Sequence, residues 1–168
     1  GGSKFQIPPI KYAKEQGHYV ITCDYLPDNP GHKYADEYHN VSTTDREEVL
    51  ELAEKLKVDG IVAYASDPAA PTQAYVANLM GLPSNPYEAV EILSRKDYFR
   101  AFMEENGFLV PKSESFDDIG NAFDWFDELK KPVIVKPVDS SGSKGVTKVY
   151  NEEELLHAFT YALEFSRA

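Results

Sequence analysis

Hydrophobic and polar residues alternate in two rhythms along the first half of the chain. Residues 18–23 (HYVITC) and 59–64 (DGIVAY) are short β-rich runs and predict buried parallel strands. Residues 8–16 read as a helix, with Pro8 and Pro9 in its first turn and Gly17 as its stop. Asp45 is placed to cap an amphipathic helix with Val49, Leu52, Ala53 and Leu56 on one face. Asp67-Pro68 reads as a cap followed by a first-turn proline, opening a helix that runs to Met80 and stops at Gly81. Residues 25–33 are turn chemistry throughout, and 38–41 predict a short strand. Such βαβα alternation predicts an α/β fold, with a parallel sheet covered by helices on both faces.

Near residue 85 the rhythm changes. Asn85-Pro86 starts a short helix over 86–92, and Ser94 stands three residues before Asp97 in a weakened capping box. The helix it opens, about 95–106, shows Tyr98, Phe99, Phe102 and Met103 as its apolar face. A strand is expected over 108–112, then a helix over 117–129 capped by Asp117 or Asp118. Residues 132–136 (PVIVK) predict a strongly β-branched strand, and 145–150 its return partner. Asn151 then caps a final helix with Leu155, Leu156, Phe159 and Leu163 expected inside. The expected division is a domain over 1–84, a connector over 85–94 and an α+β unit over 95–168.

Composition narrows the function classes. Of the 168 residues 42% are hydrophobic and 12% aromatic, enough for a packed core. The net charge is −11 and the basic residues form no stripe, which argues against nucleic acid or an anionic membrane as partner. A single cysteine, Cys23, rules out an internal disulfide framework and fits a reducing, cytoplasmic setting. No apolar run reaches the roughly 18 residues of a membrane span. His18, His32, His39 and His157 lack metal-ligand spacing.

The sharpest chemistry lies in residues 132–146. Lys136 ends a strand and is followed by Ser140, Ser141, Gly142, Ser143, Lys144 and Gly145. Glycines let backbone N–H groups approach phosphate oxygens, and a concave run of such donors makes an anion nest. The serines add hydroxyl donors, and a lysine on a rigid strand supplies a point charge. Read alone, the same stretch is equally a flexible hairpin turn with solvated lysines, and Lys96 a solvated first-turn helix lysine. It is not a Walker A loop, because no lysine followed by Ser or Thr opens a helix.

This strand–lysine–loop–strand unit resembles the A-subdomain of the ATP-grasp superfamily, which includes biotin carboxylase, carbamoyl-phosphate synthetase and several purine-biosynthesis ligases. Ser94-Arg95-Lys96-Asp97-Tyr98-Phe99-Arg100 resembles the family's helix start, where a lysine or arginine reaches the nucleotide phosphates about forty residues before the strand lysine. Lys96 and Lys136 have that spacing. The run 106–111 (NGFLVP) resembles the family's strand that follows the helix. Gly1-Gly2-Ser3-Lys4-Phe5-Gln6 is similar to a "GGxxxQ" turn of the family's preceding Rossmann-like domain, although an expression tag can also begin Gly-Gly-Ser. Residues 24–31 with Ala35-Asp36 resemble the segment after that domain's second strand.

The resemblance implies an ATP- and Mg2+-dependent carboxylate–amine or bicarbonate ligase of the carbamoyl-phosphate synthetase/biotin carboxylase type. Its partners would be nucleotide and a small carboxylate, with a homodimer possible. It implies that Lys96, Lys136, Ser140, Ser141, Gly142, Ser143, Lys144 and Gly145 hold the nucleotide phosphates. By the same comparison the chain opens after the family's first strand. It closes before the family's adenine-binding hinge and magnesium ligands, so no catalytic or metal residue is expected within 1–168. Two other classes stay open: a nucleotide-binding regulatory module without catalysis, and an NAD(P) oxidoreductase, against which the missing G-x-G-x-x-G speaks.

Overall fold

The computed structural model describes residues 1–167, and the chain divides into two compact units, Gly1–Glu91 and Ile92–Ala168. In the first unit a 3-10 turn (Lys4–Gln6) leads into α1 (Ile7–Glu15), followed by β1 (Ile21–Cys23), a second 3-10 turn (Pro30–Tyr34) and β2 (Glu37–His39). Next come α2 (Arg46–Leu56), a 3-10 turn (Asp67–Ala69) and α3 (Ala70–Leu79). Helix α4 (Tyr87–Ser94) runs across the division. The second unit holds α5 (Lys96–Glu105), α6 (Ile119–Asp127), β3 (Val133–Val135), β4 (Thr147–Val149) and α7 (Glu152–Leu163).

The mixed α/β expectation holds, with the strands shorter than the sequence pattern. β1 pairs with β2 in parallel, Ile21 opposite Glu37 and Cys23 opposite His39, so only the last three residues of the 18–23 run are strand. The expected strand over 59–64 does not form. Among the described residues none forms a ladder with 61–64, and Val62 is 79% exposed. β-propensity without a neighbouring strand leaves backbone groups unbonded, so composition alone does not make a strand there. The same holds for 108–112, where Leu109 is fully exposed.

Helix α2 follows its pattern closely. Asp45 accepts from the Glu48 N–H, and Val49 and Ala53 are buried in a cluster with Val76, against which Cys23, Val41 and Ile61 pack. Burial raises the Cys23 thiol pKa, in keeping with a small core hydrophobe. Asp67 does not cap α3; a 3-10 turn intervenes and Ala69 stands at the cap without a side-chain bond. Nor does Ser94 form a capping box. Arg95 is the N-cap of α5, and its guanidinium grips Asp97 at both oxygens (3.1 and 2.6 Å). Ser94 is instead the last residue of α4, so it does not stand at the cap, and the Asp97 carboxylate is taken up by Arg95.

In the second unit Val133 and Val135 pack on a core of Phe126, Val149, Leu155 and Ala158. Asn151 caps α7 through the Glu154 N–H. The buried stripe of α7 is Leu155, Ala158 and Ala162, while Leu156 and Leu163 are exposed, contrary to the sequence expectation. The small residues at 158 and 162 lie three and seven after Leu155, and they let the helix approach the sheet closely.

The opening Gly-Gly-Ser is part of this packing. The Gly2 N–H donates to the buried Asp24 carboxylate (3.0 Å), and the Gly2 carbonyl accepts from the Gly31 N–H (2.7 Å). A Cβ on Gly2 would lie 2.0 Å from the His32 ring. Gln6 accepts from Ser3 and donates to the Tyr64 carbonyl (2.7 Å), tying the turn to the 61–64 segment.

Candidate functional site

The β3–β4 hairpin carries the residues singled out from sequence. Alternation along β3 sends Val133 and Val135 to the core and Ile134 outward. Lys136, two residues beyond Ile134, is exposed, as that alternation dictates. Lys148 lies directly across from Ile134 in the antiparallel register, with its ammonium 5.1 Å from the Tyr150 ring centroid. The outer face of the hairpin therefore offers aliphatic Ile134 beside two cations, Lys136 and Lys148. Sequence reading missed Ile134 and Lys148 as site neighbours; the period-2 pattern could have found Ile134, but Lys148 needed the register.

The loop between the strands is held at both ends and open at its tip. At the start, the Lys96 N–H donates to the Val138 carbonyl (2.9 Å) and the Lys96 ammonium to the Ser140 carbonyl (2.5 Å). Lys96 is thus brought onto the loop from a position forty-four residues before Ser140, at the first residue of α5. Asp139 accepts from the Ser166 hydroxyl (2.8 Å) and the Arg167 N–H (2.7 Å), an anchor that no sequence motif signalled. At the far end Gly145 is buried, with φ +67°. Between them Gly142, Ser143 and Lys144 are exposed, and Gly142 (φ +67°) and Ser143 (φ +58°) take left-handed backbone. Two consecutive left-handed residues hold the exposed tip in a tight turn.

Charge around the loop is arranged rather than scattered. Burial works against the charged form of Asp97. The Arg95 hydrogen bonds and the Tyr98 N–H outweigh it and hold the carboxyl below its ordinary range. Arg95 in turn stacks 4.2 Å from the Tyr98 ring centroid. Asp97 and Asp139 are both engaged by partners, the Lys96 ammonium contacts the loop at the Ser140 carbonyl, and Lys136 is exposed beyond β3. This cation and N–H set suits a phosphate chain. Among the described residues no group of three or more His, Cys, Asp or Glu is placed to hold a metal ion.

Residues 95–168 match the family model of the carbamoyl-phosphate synthase L chain, ATP-binding domain. The chain belongs to the ATP-grasp superfamily. Among ATP-grasp relatives, the phosphoribosylamine–glycine ligase of Pyrococcus furiosus is 40% identical over 128 residues, 72% of this chain and 28% of that protein. The N5-carboxyaminoimidazole synthetase of Staphylococcus aureus, solved with ADP, superposes with a TM-score of 0.73 at 21% identity, covering 97% of this chain and 43% of that one. The biotin carboxylase domain of the Hydrogenobacter thermophilus 2-oxoglutarate carboxylase, solved as a dimer with MgADP, ADP and bicarbonate, superposes at 0.70. Its identity is 20%, and the match covers 98% of this chain and 40% of that one. The structural likenesses establish the ATP-grasp fold, and the chain spans less than half the length of these relatives. No helix among the described residues is long and apolar enough to cross a membrane.

Proposed function

We propose that this chain supplies the phosphate-holding lobe of an ATP-dependent ligase that joins a carboxylate, or bicarbonate, to an amine. The observation that carries the reading is the contact of Lys96 with the 140–145 loop, beside β3, which Lys136 directly follows. Lys136 and Lys96 hold the phosphate chain as point charges, and the N–H groups and hydroxyls of Ser140, Ser141, Gly142, Ser143, Lys144 and Gly145 close over it. When bound, ATP supplies the phosphoryl group that converts a carboxylate oxygen into a good leaving group, as an acyl phosphate open to attack by an amine. The chain's own part is to bind the phosphates, orient them and exclude water at the loop.

The wider reading has three parts. Residues 1–84 form a Rossmann-like domain that walls the acceptor side, 85–94 a connector and 95–168 the ATP-grasp A-subdomain. Its parallel β1–β2 pair and helical flanks support the first of these. The protein works in the cytoplasm, and a homodimer is consistent with the dimeric biotin carboxylase domain among its structural neighbours.

The test is an ADP titration of the isotopically labelled chain, followed by amide chemical shifts. Shifts should concentrate at Lys96 and residues 136–146. Lys136→Ala should weaken binding roughly tenfold, the worth of one charge-assisted contact. Lys144→Ala, at the exposed loop tip, should weaken it only about two- to threefold. Shifts confined to other regions, or equal losses in the two variants, would sink the assignment.

A further inference from the structure

Lys96 serves the 138–145 loop twice. As the first residue of α5 its backbone N–H has no acceptor within the helix, and it donates to the Val138 carbonyl (2.9 Å). Its ammonium reaches the same stretch of chain, 2.5 Å from the Ser140 carbonyl and 3.5 Å from that of Val138. Arg95 and Asp97, on either side of Lys96 in sequence, are joined at both carboxylate oxygens, so the turn that presents the lysine is itself held. Two other anchors bound the loop. Asp139 accepts from Ser166 and from the Arg167 N–H, and Gly145 is seated against Pro137 and Ala162. Between these anchors the Lys96 ammonium takes Ser140, whereas Gly142, Ser143 and Lys144 are exposed.

We propose that Lys96 is a positioning residue for this loop as well as a phosphate contact. Its ammonium fixes the loop's start before any nucleotide arrives, and so confines the moving lid to Gly142–Lys144. The second of these roles rests on the phosphate-holding reading above; the tether itself does not. An ammonium carries three N–H donors, so one lysine can serve a carbonyl and a phosphate oxygen together. Loop residues ordered in advance lose less conformational freedom when the lid closes on a ligand. Lys96 therefore contributes to affinity beyond the attraction of its own charge. Lys136 has no such second part, because it is exposed just beyond β3.

The test compares Lys96→Met with Lys136→Met in the full 15N-labelled chain. Methionine keeps the length of the side chain and the backbone N–H bond to Val138, and removes only the ammonium. Without ligand, relaxation should give order parameters near about 0.85 at Asp139–Ser141 in the parent, and below about 0.6 at Gly142–Lys144. The Ser141 N–H shares a peptide plane with the Ser140 carbonyl, so it reports on the tether directly. Lys96→Met should bring Ser140 and Ser141 down to the range of the tip, while Asp139, Gly145 and α5 keep theirs. Lys136→Met should change none of them. With inorganic tripolyphosphate as the probe, Lys136→Met should weaken binding roughly tenfold, the worth of one charge-assisted contact. Lys96→Met should weaken it at least about fivefold further, because the ligand must then order the loop. Unchanged order at Ser140 and Ser141 would overturn the tether, and so would a loss of order in α5 alongside the loop, since the lysine would then be holding its own helix. Equal losses of affinity in the two variants would overturn the contribution to binding. A parent that binds no tripolyphosphate, with the loop loosened in Lys96→Met as expected, would refute the phosphate-holding reading and leave the tether standing.

Discussion

Gly145→Ala isolates the packing role of the loop's far end from its flexibility. Two separate costs meet at this residue. Its φ of +67° is left-handed, which costs an alanine about 1 kcal/mol. The added Cβ would stand 2.8 Å from Pro137 Cγ, 3.0 Å from Pro137 Cδ and 3.2 Å from Ala162 Cα. A rigid ring and a helix backbone cannot rotate out of the way, and overpacking of that kind costs about 1–3 kcal/mol. The sum is about 2–4 kcal/mol. Gly142→Ala is the internal control, since it has the same φ of +67° and no heavy atom within 4 Å of the added Cβ. It should cost only the conformational part, about 1 kcal/mol. In a chain of this size each kcal/mol moves the thermal midpoint by roughly 2–4 °C. Scanning calorimetry or circular dichroism should therefore place Gly145→Ala roughly 5–15 °C below the parent and Gly142→Ala only a few degrees below. Equal losses in the two variants would show that the contact with Pro137 and Ala162 relaxes freely, and that the loop is not pinned there.

Gly2→Ala should lose about 2 kcal/mol in urea denaturation, because its Cβ would meet the His32 ring, which is already fixed by bonds to Thr22 and to the Leu26 carbonyl. Asp97→Asn should cost about 1 kcal/mol at pH 7 by breaking the bidentate Arg95 pair. The folded pKa of Asp97 lies below its ordinary value, so its contribution is present above about pH 4 and fades as pH falls through the folded pKa. The difference between parent and variant, followed by denaturation at several pH values, should shrink in acid. Leu155→Ala should cost about 2–4 kcal/mol, whereas Leu156→Ala, one residue on and exposed, should change stability by less than about 0.5 kcal/mol in the same assay.

Much of this molecule is legible from local chemistry. The caps at Asp45 and Asn151 form as read, and Asp118 takes the one left open between Asp117 and Asp118, because each short polar side chain stands at the helix start and bonds a backbone N–H of the first turn. The hairpin at 133–149 was equally readable, since a β-branched run, a loop of small residues and a return run need only each other to pair. Other decisions lay with tertiary structure. Residues 61–64 have strand composition but no ladder partner among the described residues, so their backbone is left irregular. Leu156 and Leu163 satisfy a helical period yet face outward, because α7 meets the sheet along Leu155, Ala158 and Ala162. The Asp97 carboxylate went to the Arg95 guanidinium, because α4 runs on through Ser94 and leaves Arg95 at the cap of α5. The contact of Lys96 with the Ser140 carbonyl joins residues forty-four apart in the chain. Sequence can nominate both of them for phosphate chemistry, but only the packed fold puts the ammonium on the loop.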